Sequence, residues 1–180
     1  MGKSMKKVKK GKRQEQSEKR AATFFRIVEE NLAPVLDEYA LRRTSVEDGG
    51  GYTYHIIVFQ NDYTGLKVTF EWRDKYLAVQ LCRLVDGKVQ RDEASRDSEW
   101  TCFHLVDLLS VNAPDYDQNS LLLPEEWNTE EATMDEIGQS LKKYADAIRR
   151  YGGDVLRGDF SVFPQLDRIA KQRAIARGAL

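Results

Sequence analysis

Four side chains in this sequence are of types that bind transition metals: its two histidines and two cysteines. They are His55, Cys82, Cys102 and His104. Thiolate and imidazole ligands suit tetrahedral zinc, and the spacing of Cys102 and His104 puts both on one side of an extended segment. His55 and Cys82 stand alone, unlike the closely spaced pairs typical of zinc sites. The sequence therefore predicts no metal site and no cofactor.

Nucleophilic catalysis has no recognisable pattern here either. The sequence contains neither a nucleophile elbow nor a known cysteine–histidine signature. Its many carboxylates include no two whose positions single them out as a hydrolytic pair. We predict no catalytic residues, and this interpretation favours a protein that is not an enzyme.

The clearest departure from average composition is a block without positive charge. Residues 97–141 hold eleven Asp and Glu residues and no Lys or Arg. Near its centre, acids alternate with aromatic and aliphatic residues, as on a surface that attracts a basic protein by charge and holds it by aromatic anchors. Within an interaction segment at 107–131, the candidate partner-binding residues are Asp115, Tyr116, Asp117, Glu125, Glu126 and Trp127. The alternative is a connector whose leucines and Trp127 cover the core while its acids are solvated.

The start of the chain has the opposite charge. Residues 1–20 hold nine Lys and Arg against two Glu, with no aromatic residue and no hydrophobic period. Low hydrophobicity combined with high net charge predicts a disordered basic arm at residues 1–18. Such an arm could contact RNA, DNA or an anionic surface; a solubilising leader is the alternative.

Length and composition indicate one folded domain at residues 19–180. The chain has 180 residues, of which 41% are hydrophobic. Its apolar runs are far shorter than the ~20 residues that span a bilayer, and no apolar region follows the basic start as in a secretory signal. Two cysteines make a reducing cytoplasm the default, with a Cys82–Cys102 disulfide left open. The sequence does not indicate an oligomeric state.

Periodicity predicts the first elements. Residues 21–39 carry apolar side chains at helical spacing, and Pro34 is expected to kink that helix or start a second one. Extended segments follow at 41–47, 52–60, 66–73 and 76–84. Short links between the last three imply an antiparallel meander. The third alternates between apolar and polar residues, which predicts one buried sheet face, formed there by Leu66, Val68, Phe70 and Trp72.

The second half of the chain is predicted to be mainly helical. Residues 100–110 favour a short helix, with a strand left open, and a longer helix begins near Thr129. The predicted class is therefore α+β, with an N-terminal helix, an antiparallel β-meander of about four strands, and C-terminal helices packed on one sheet face.

The stretch YGGDVLRGDFSVFPQLDRI, residues 151–169, reads as a structural corner. Its paired glycines are expected to end or distort the preceding helix, and Asp159 or Ser161 to cap the last one. The Arg157-Gly158-Asp159 triplet would act in adhesion only on an exposed loop of a secreted protein, so a structural corner is preferred.

The order of elements and the GDFSVF phrase resemble small bacterial proteins, some of them similar to immunity proteins of polymorphic toxin systems. The resemblance covers residues 21–170, and its clearest phrase is residues 151–167. It implies a protein that binds a partner without catalysis, and it carries over no catalytic residue. Together with the acidic segment it favours a cytoplasmic, immunity-like or regulatory protein-binding module with a basic protein partner. The alternatives are a nucleic-acid-associated protein using the basic arm, and an enzyme with an unrecognised site.

Overall fold

The computed structural model describes residues 2–49, 54–90, 98–123 and 130–178. Its α-helices are α1 (Gly2–Glu38), α2 (Leu105–Asn112), α3 (Glu130–Ala147), α4 (Gly153–Leu156) and α5 (Phe163–Ala176). Its strands are β1 (Arg42–Asp48), β2 (Tyr54–Gln60), β3 (Thr64–Glu71), β4 (Tyr76–Arg83) and β5 (Cys102–His104). A 3₁₀ helix at Gln118–Leu121 precedes α3, and a π-helical turn at Ile148–Gly152 joins α3 to α4.

The strands form one five-stranded antiparallel sheet in the order β1-β2-β3-β4-β5. This confirms the predicted α+β class and the meander, because strands joined by such short links can only run antiparallel. The fifth strand comes from the segment for which a short helix was favoured. Residues 102–104 pair with β4 before the chain turns into α2, so strand and helix follow one another there.

The core lies between one face of the sheet and the helices. Leu66, Val68 and Phe70 of β3 are fully buried, as the alternation in that strand predicts. Phe24 of α1 stacks on Phe70 with ring centroids 5.9 Å apart. Helix α1 also packs along α3, and the buried Phe163 of α5 packs edge to face with Phe103 of β5.

Helix α1 is longer than the helix predicted at residues 21–39. It begins at Gly2, so the backbone of residues 2–18, for which disorder is predicted, is helical in the structure. That stretch is rich in Lys, Arg, Glu and Gln, which are strong helix formers, and it continues directly into the buried part of the helix. The helix also runs through Pro34, so no second helix starts there, and Leu32 and Val35 on either side are fully buried in the core.

The Arg157-Gly158-Asp159 triplet forms a structural corner. Gly158 has φ of +95°, a conformation that glycine adopts without strain, and a Cβ atom there would make a tight 3.2 Å contact with the Tyr63 Cβ. The Asp159 carboxylate accepts a hydrogen bond from the Ser161 amide at 2.9 Å. Helix α5 starts later, with Val162 at its N-cap and no side-chain cap. The prediction that Asp159 or Ser161 caps α5 is therefore wrong: Asp159 closes the turn before it.

Candidate partner-binding site

The segment at 107–131 divides into parts with different surroundings. Residues 107–112 belong to α2, and residues 113–122 form a turn followed by the 3₁₀ helix. Residues 124–129 lie outside the described part of the chain, and with them Glu125, Glu126 and Trp127. The structure therefore places three of the six candidate residues: Asp115, Tyr116 and Asp117.

The α2 part of the segment is structural. Asp107 is only 3% exposed, and its carboxylate accepts a hydrogen bond from the Arg173 guanidinium of α5. The next two residues, Leu108 and Leu109, are buried in the core. A buried acid that is already paired within the chain cannot attract a partner, so the surface that could do so begins after α2.

Asp115 and Asp117 are both exposed, and local hydrogen bonds fix the backbone between them and the 3₁₀ helix. The Asp117 carboxylate accepts from the Asn119 amide at 3.1 Å and so caps the 3₁₀ helix. The Ser120 hydroxyl donates to the Asp117 carbonyl at 2.6 Å. The Lys143 ammonium of α3 donates to the Ser120 carbonyl at 3.0 Å. The segment is therefore held in one conformation from both sides.

Tyr116 lies half-buried between the two acids. Its ring packs edge to face on Tyr151, with centroids 5.9 Å apart. Tyr151 belongs to the π-helical turn, and its carbonyl accepts a 3.4 Å hydrogen bond from the Asn112 side chain. The Arg150 guanidinium lies 5.9 Å from the centroid of the Tyr151 ring. The tyrosine pair therefore joins the acidic segment to the helix distortion that the paired glycines predict.

An apolar residue of the same surface was not among the predicted site residues. Leu122 is 58% exposed, whereas its neighbour Leu121 is buried in the core. The run of three leucines at 121–123 signals burial, but the sequence does not say which of them turns outward. That depends on the 3₁₀ helix, which ends at Leu121. Leu122 adds an exposed apolar contact close to Asp115 and Asp117 in the chain.

The two histidines and two cysteines do not come together as one set of metal ligands. Cys82 and Cys102 are direct cross-strand partners on β4 and β5, with Cα atoms 4.1 Å apart, and form a disulfide. His55 is the cross-strand partner of Phe70, on the core face of the sheet. Cys82 follows the core residue Leu81 in β4, and successive strand residues point to opposite faces, so Cys82 faces the other side. Across the described ranges, no group of three or more His, Cys, Asp or Glu side chains could hold a metal ion.

The disulfide bears on the expected compartment. Disulfides persist in oxidising environments and are rare in the cytoplasm. The low cysteine count, by contrast, favours a cytoplasmic location. The structure thus settles the pairing that the sequence left open. Cytoplasmic location stays a prediction, and the redox state of the two cysteines in the cell becomes its test.

His55 is a core residue. It is 1% exposed and lies beside Phe24, at 5.6 Å between ring centroids, and Trp72, at 6.0 Å. Burial lowers the pKa of His55, and the Asp48 carboxylate, 3.3 Å from its Nδ1 atom, opposes that shift. This histidine therefore packs among aromatic rings in the core.

His104 lies on the opposite face of the sheet, beside Tyr76. The Tyr76 hydroxyl is 3.4 Å from His104 Nδ1, and burial, followed by the nearby Asp107 carboxylate, raises the pKa of Tyr76. The phenol therefore keeps its proton at neutral pH and can donate to the imidazole. This contact joins β4 to β5, and the Asp107–Arg173 pair joins α2 to α5.

Comparison of the chain with protein-family models, with curated proteins and with solved structures gives no match in any of the three. Among the described residues, no helix has both the length and the apolar composition needed to cross a membrane.

Proposed function

We propose that this protein is a non-enzymatic protein-binding module, immunity-like or regulatory, that binds a basic partner through the acidic segment at 107–131. The exposed part of that segment, residues 113–122, would act together with Glu125, Glu126 and Trp127. The proposal includes a cytoplasmic location, as the sequence predicts.

The observation that carries the proposal is the arrangement around Tyr116. Two exposed carboxylates, on Asp115 and Asp117, flank an aromatic ring that is held by Tyr151. The Asp117 carboxylate accepts from the Asn119 amide and so caps the 3₁₀ helix that follows. Binding to a surface that is already ordered loses less conformational entropy than binding to a mobile loop. Such a segment can therefore serve as a preformed recognition surface.

Charge and apolar contacts would have separate roles on this surface. Exposed acids at the rim of an interface mainly raise the association rate, by steering an oppositely charged partner. Aromatic and aliphatic residues that become buried mainly slow dissociation. Asp115 and Asp117 fit the first role, and Tyr116 and Leu122 the second.

The test is affinity capture of partners from the native organism with two matched variants. The first removes the candidate charges: Asp115→Asn, Asp117→Asn, Glu125→Gln and Glu126→Gln. The control makes the same change of four charges at exposed aspartates elsewhere: Asp37→Asn, Asp62→Asn, Asp74→Asn and Asp86→Asn. Both variants should unfold at the wild-type temperature, because all the described members are exposed.

We expect wild type and control to recover the same basic protein, and the segment variant to lose it or to bind it with a slower, less salt-dependent association. Equal recovery by all three would overturn the proposal. Recovery of RNA or DNA, lost on deletion of residues 1–18 and not in the segment variant, would instead support the nucleic-acid alternative.

A further inference from the structure

His55 lies under α1, at the end of the sheet where β2 begins. Its ring packs edge to face on Phe25, with centroids 6.0 Å apart, and lies 5.6 Å from the Phe24 ring. Within the part of the chain that the structure describes, His55 Nε2 has no hydrogen-bond partner. The buried Nε1 atom of Trp72, whose ring centroid is 6.0 Å away, has none there either. Burying a polar atom without a partner costs free energy, so hydration of these two atoms favours any state in which α1 has moved away.

The first part of α1, residues 2–25, is the part that covers His55. Of the side chains described in that part, only Ala21 and Phe24 are buried. The remainder of the helix is held by a longer row of buried residues: Val28, Leu32, Val35 and Leu36. A helix end with little buried apolar surface opens at a lower free energy than the core does. The first part of α1 can therefore leave the sheet without unfolding the rest of the protein.

In the described part of the chain, two charged groups act on His55, and they lie on different elements. The Asp48 carboxylate of β1 is 3.3 Å from His55 Nδ1, and Asp48 is the direct cross-strand partner of His55. Arg20 lies on α1, with its guanidinium 5.4 Å from the centroid of the Trp72 ring. Burial is the main cause that lowers the pKa of His55, the Arg20 charge lowers it further, and Asp48 opposes both. The neighbours on the β3 side, Phe70 and Trp72, carry no charge.

We propose that His55 is a pH-sensitive switch: protonation of its imidazole releases residues 2–25 from the sheet while the strands and the remainder of α1 stay folded. Release brings water to the imidazolium and takes Arg20 away from it. Asp48 stays beside it, because β1 and β2 remain paired. The released state therefore binds the proton more tightly than the docked state, and by linkage a lower pH favours release.

The released state presents a surface that the docked state hides. Moving Phe24 away uncovers Phe70, on which it stacks, together with Trp72. It also frees the basic start of the helix, since residues 1–20 hold nine Lys and Arg. If the released imidazole has the ordinary pKa of 6.5 and the docked one stays neutral, the equilibrium shifts towards release by up to about 30-fold between pH 8 and pH 5.

Thiol labelling tests the release. Ala21→Cys places a thiol on the first part of α1 at a position that is 5% exposed, and the matched control Ala147→Cys places one at the end of α3 at a position that is 2% exposed. Both variants react with dithiodipyridine without reductant, and each rate is divided by that of glutathione at the same pH. The corrected rate of Ala21→Cys should rise by up to about 30-fold between pH 8 and pH 5, and that of Ala147→Cys should change less than about twofold.

Two further variants of Ala21→Cys assign the response to His55. Adding His55→Phe keeps an aromatic ring but removes the titration, so the rise should disappear. Adding Asp48→Asn removes the counter-charge of the released imidazolium, so the rise should move to lower pH. A constant rate in Ala21→Cys, an equal rise in Ala147→Cys, or an unchanged rise after His55→Phe would overturn the proposal. Should His55→Phe fail to fold, Asp48→Asn decides, and a rise at the original pH would then contradict the switch.

Discussion

Tyr116 packs edge to face against Tyr151, with ring centroids 5.9 Å apart and planes at 80°. The contact links the acidic segment to a π-helical turn about 35 residues further along the chain. A short π-helical stretch within a helix often occurs at a functional site. Here it places the Tyr151 ring against the Tyr116 ring, so the position of the candidate anchor depends on the end of α3.

This contact predicts two separable effects at Tyr116. Tyr116→Ala should raise the dissociation rate of the recovered partner and cost about 2 kcal/mol of binding, whereas Tyr116→Phe should keep most of the affinity because the ring remains. Surface plasmon resonance would measure both rates. Tyr63→Ala, at an exposed tyrosine outside the segment, is the control, and an effect there as large as at Tyr116 would remove the anchor role.

The pair formed by Arg173 and Asp107 predicts a cost that depends on which partner is removed. Arg173→Met leaves a buried carboxylate without its cation, which we expect to cost about 1 to 3 kcal/mol, less than for a fully buried pair because the arginine is partly exposed. Replacing both residues, with Asp107→Leu and Arg173→Met, should restore much of the loss. Urea unfolding of the two single variants and the double variant measures this coupling. Additive losses would mean that the two side chains do not interact.

The burial of this pair could not be predicted from the sequence, unlike several other features of the fold. The meander was predictable because short links restrict neighbouring strands to antiparallel pairing, and β3 because its apolar residues alternate. The paired glycines predicted the distortion after α3. The burial of Asp107 was not predictable, since its partner Arg173 is 66 residues away in the sequence. Nor could the sequence choose Leu122 over Leu121 as the outward leucine, because that choice depends on where one turn of 3₁₀ helix ends.

His55 predicts a pH dependence of stability with a definite sign. Burial lowers its pKa in the folded protein below the ordinary value of 6.5. Between those two pKa values the unfolded chain binds the proton more readily, so the free energy of unfolding falls as the pH falls. We expect wild type to lose more stability than His55→Phe between about pH 7.5 and pH 5. Parallel pH profiles for wild type and His55→Phe would contradict the prediction.

The disulfide between Cys82 and Cys102 predicts a stability that depends on redox conditions. It closes a loop with a sequence separation of 20, and a loop of this length corresponds to about 3 kcal/mol of stabilisation by restriction of the unfolded chain. Adding a reductant should therefore lower the urea midpoint of wild type. The double variant Cys82→Ala, Cys102→Ala should unfold at the same lower midpoint with or without reductant.

Rapid alkylation of intact native cells, followed by mass spectrometry, would then show whether the cell keeps Cys82 and Cys102 oxidised or reduced. Protected cysteines would place the protein in an oxidising compartment and contradict a cytoplasmic location. Two alkylated cysteines would fit the cytoplasm and mean that the protein works there without the cross-link, at the lower of the two measured stabilities.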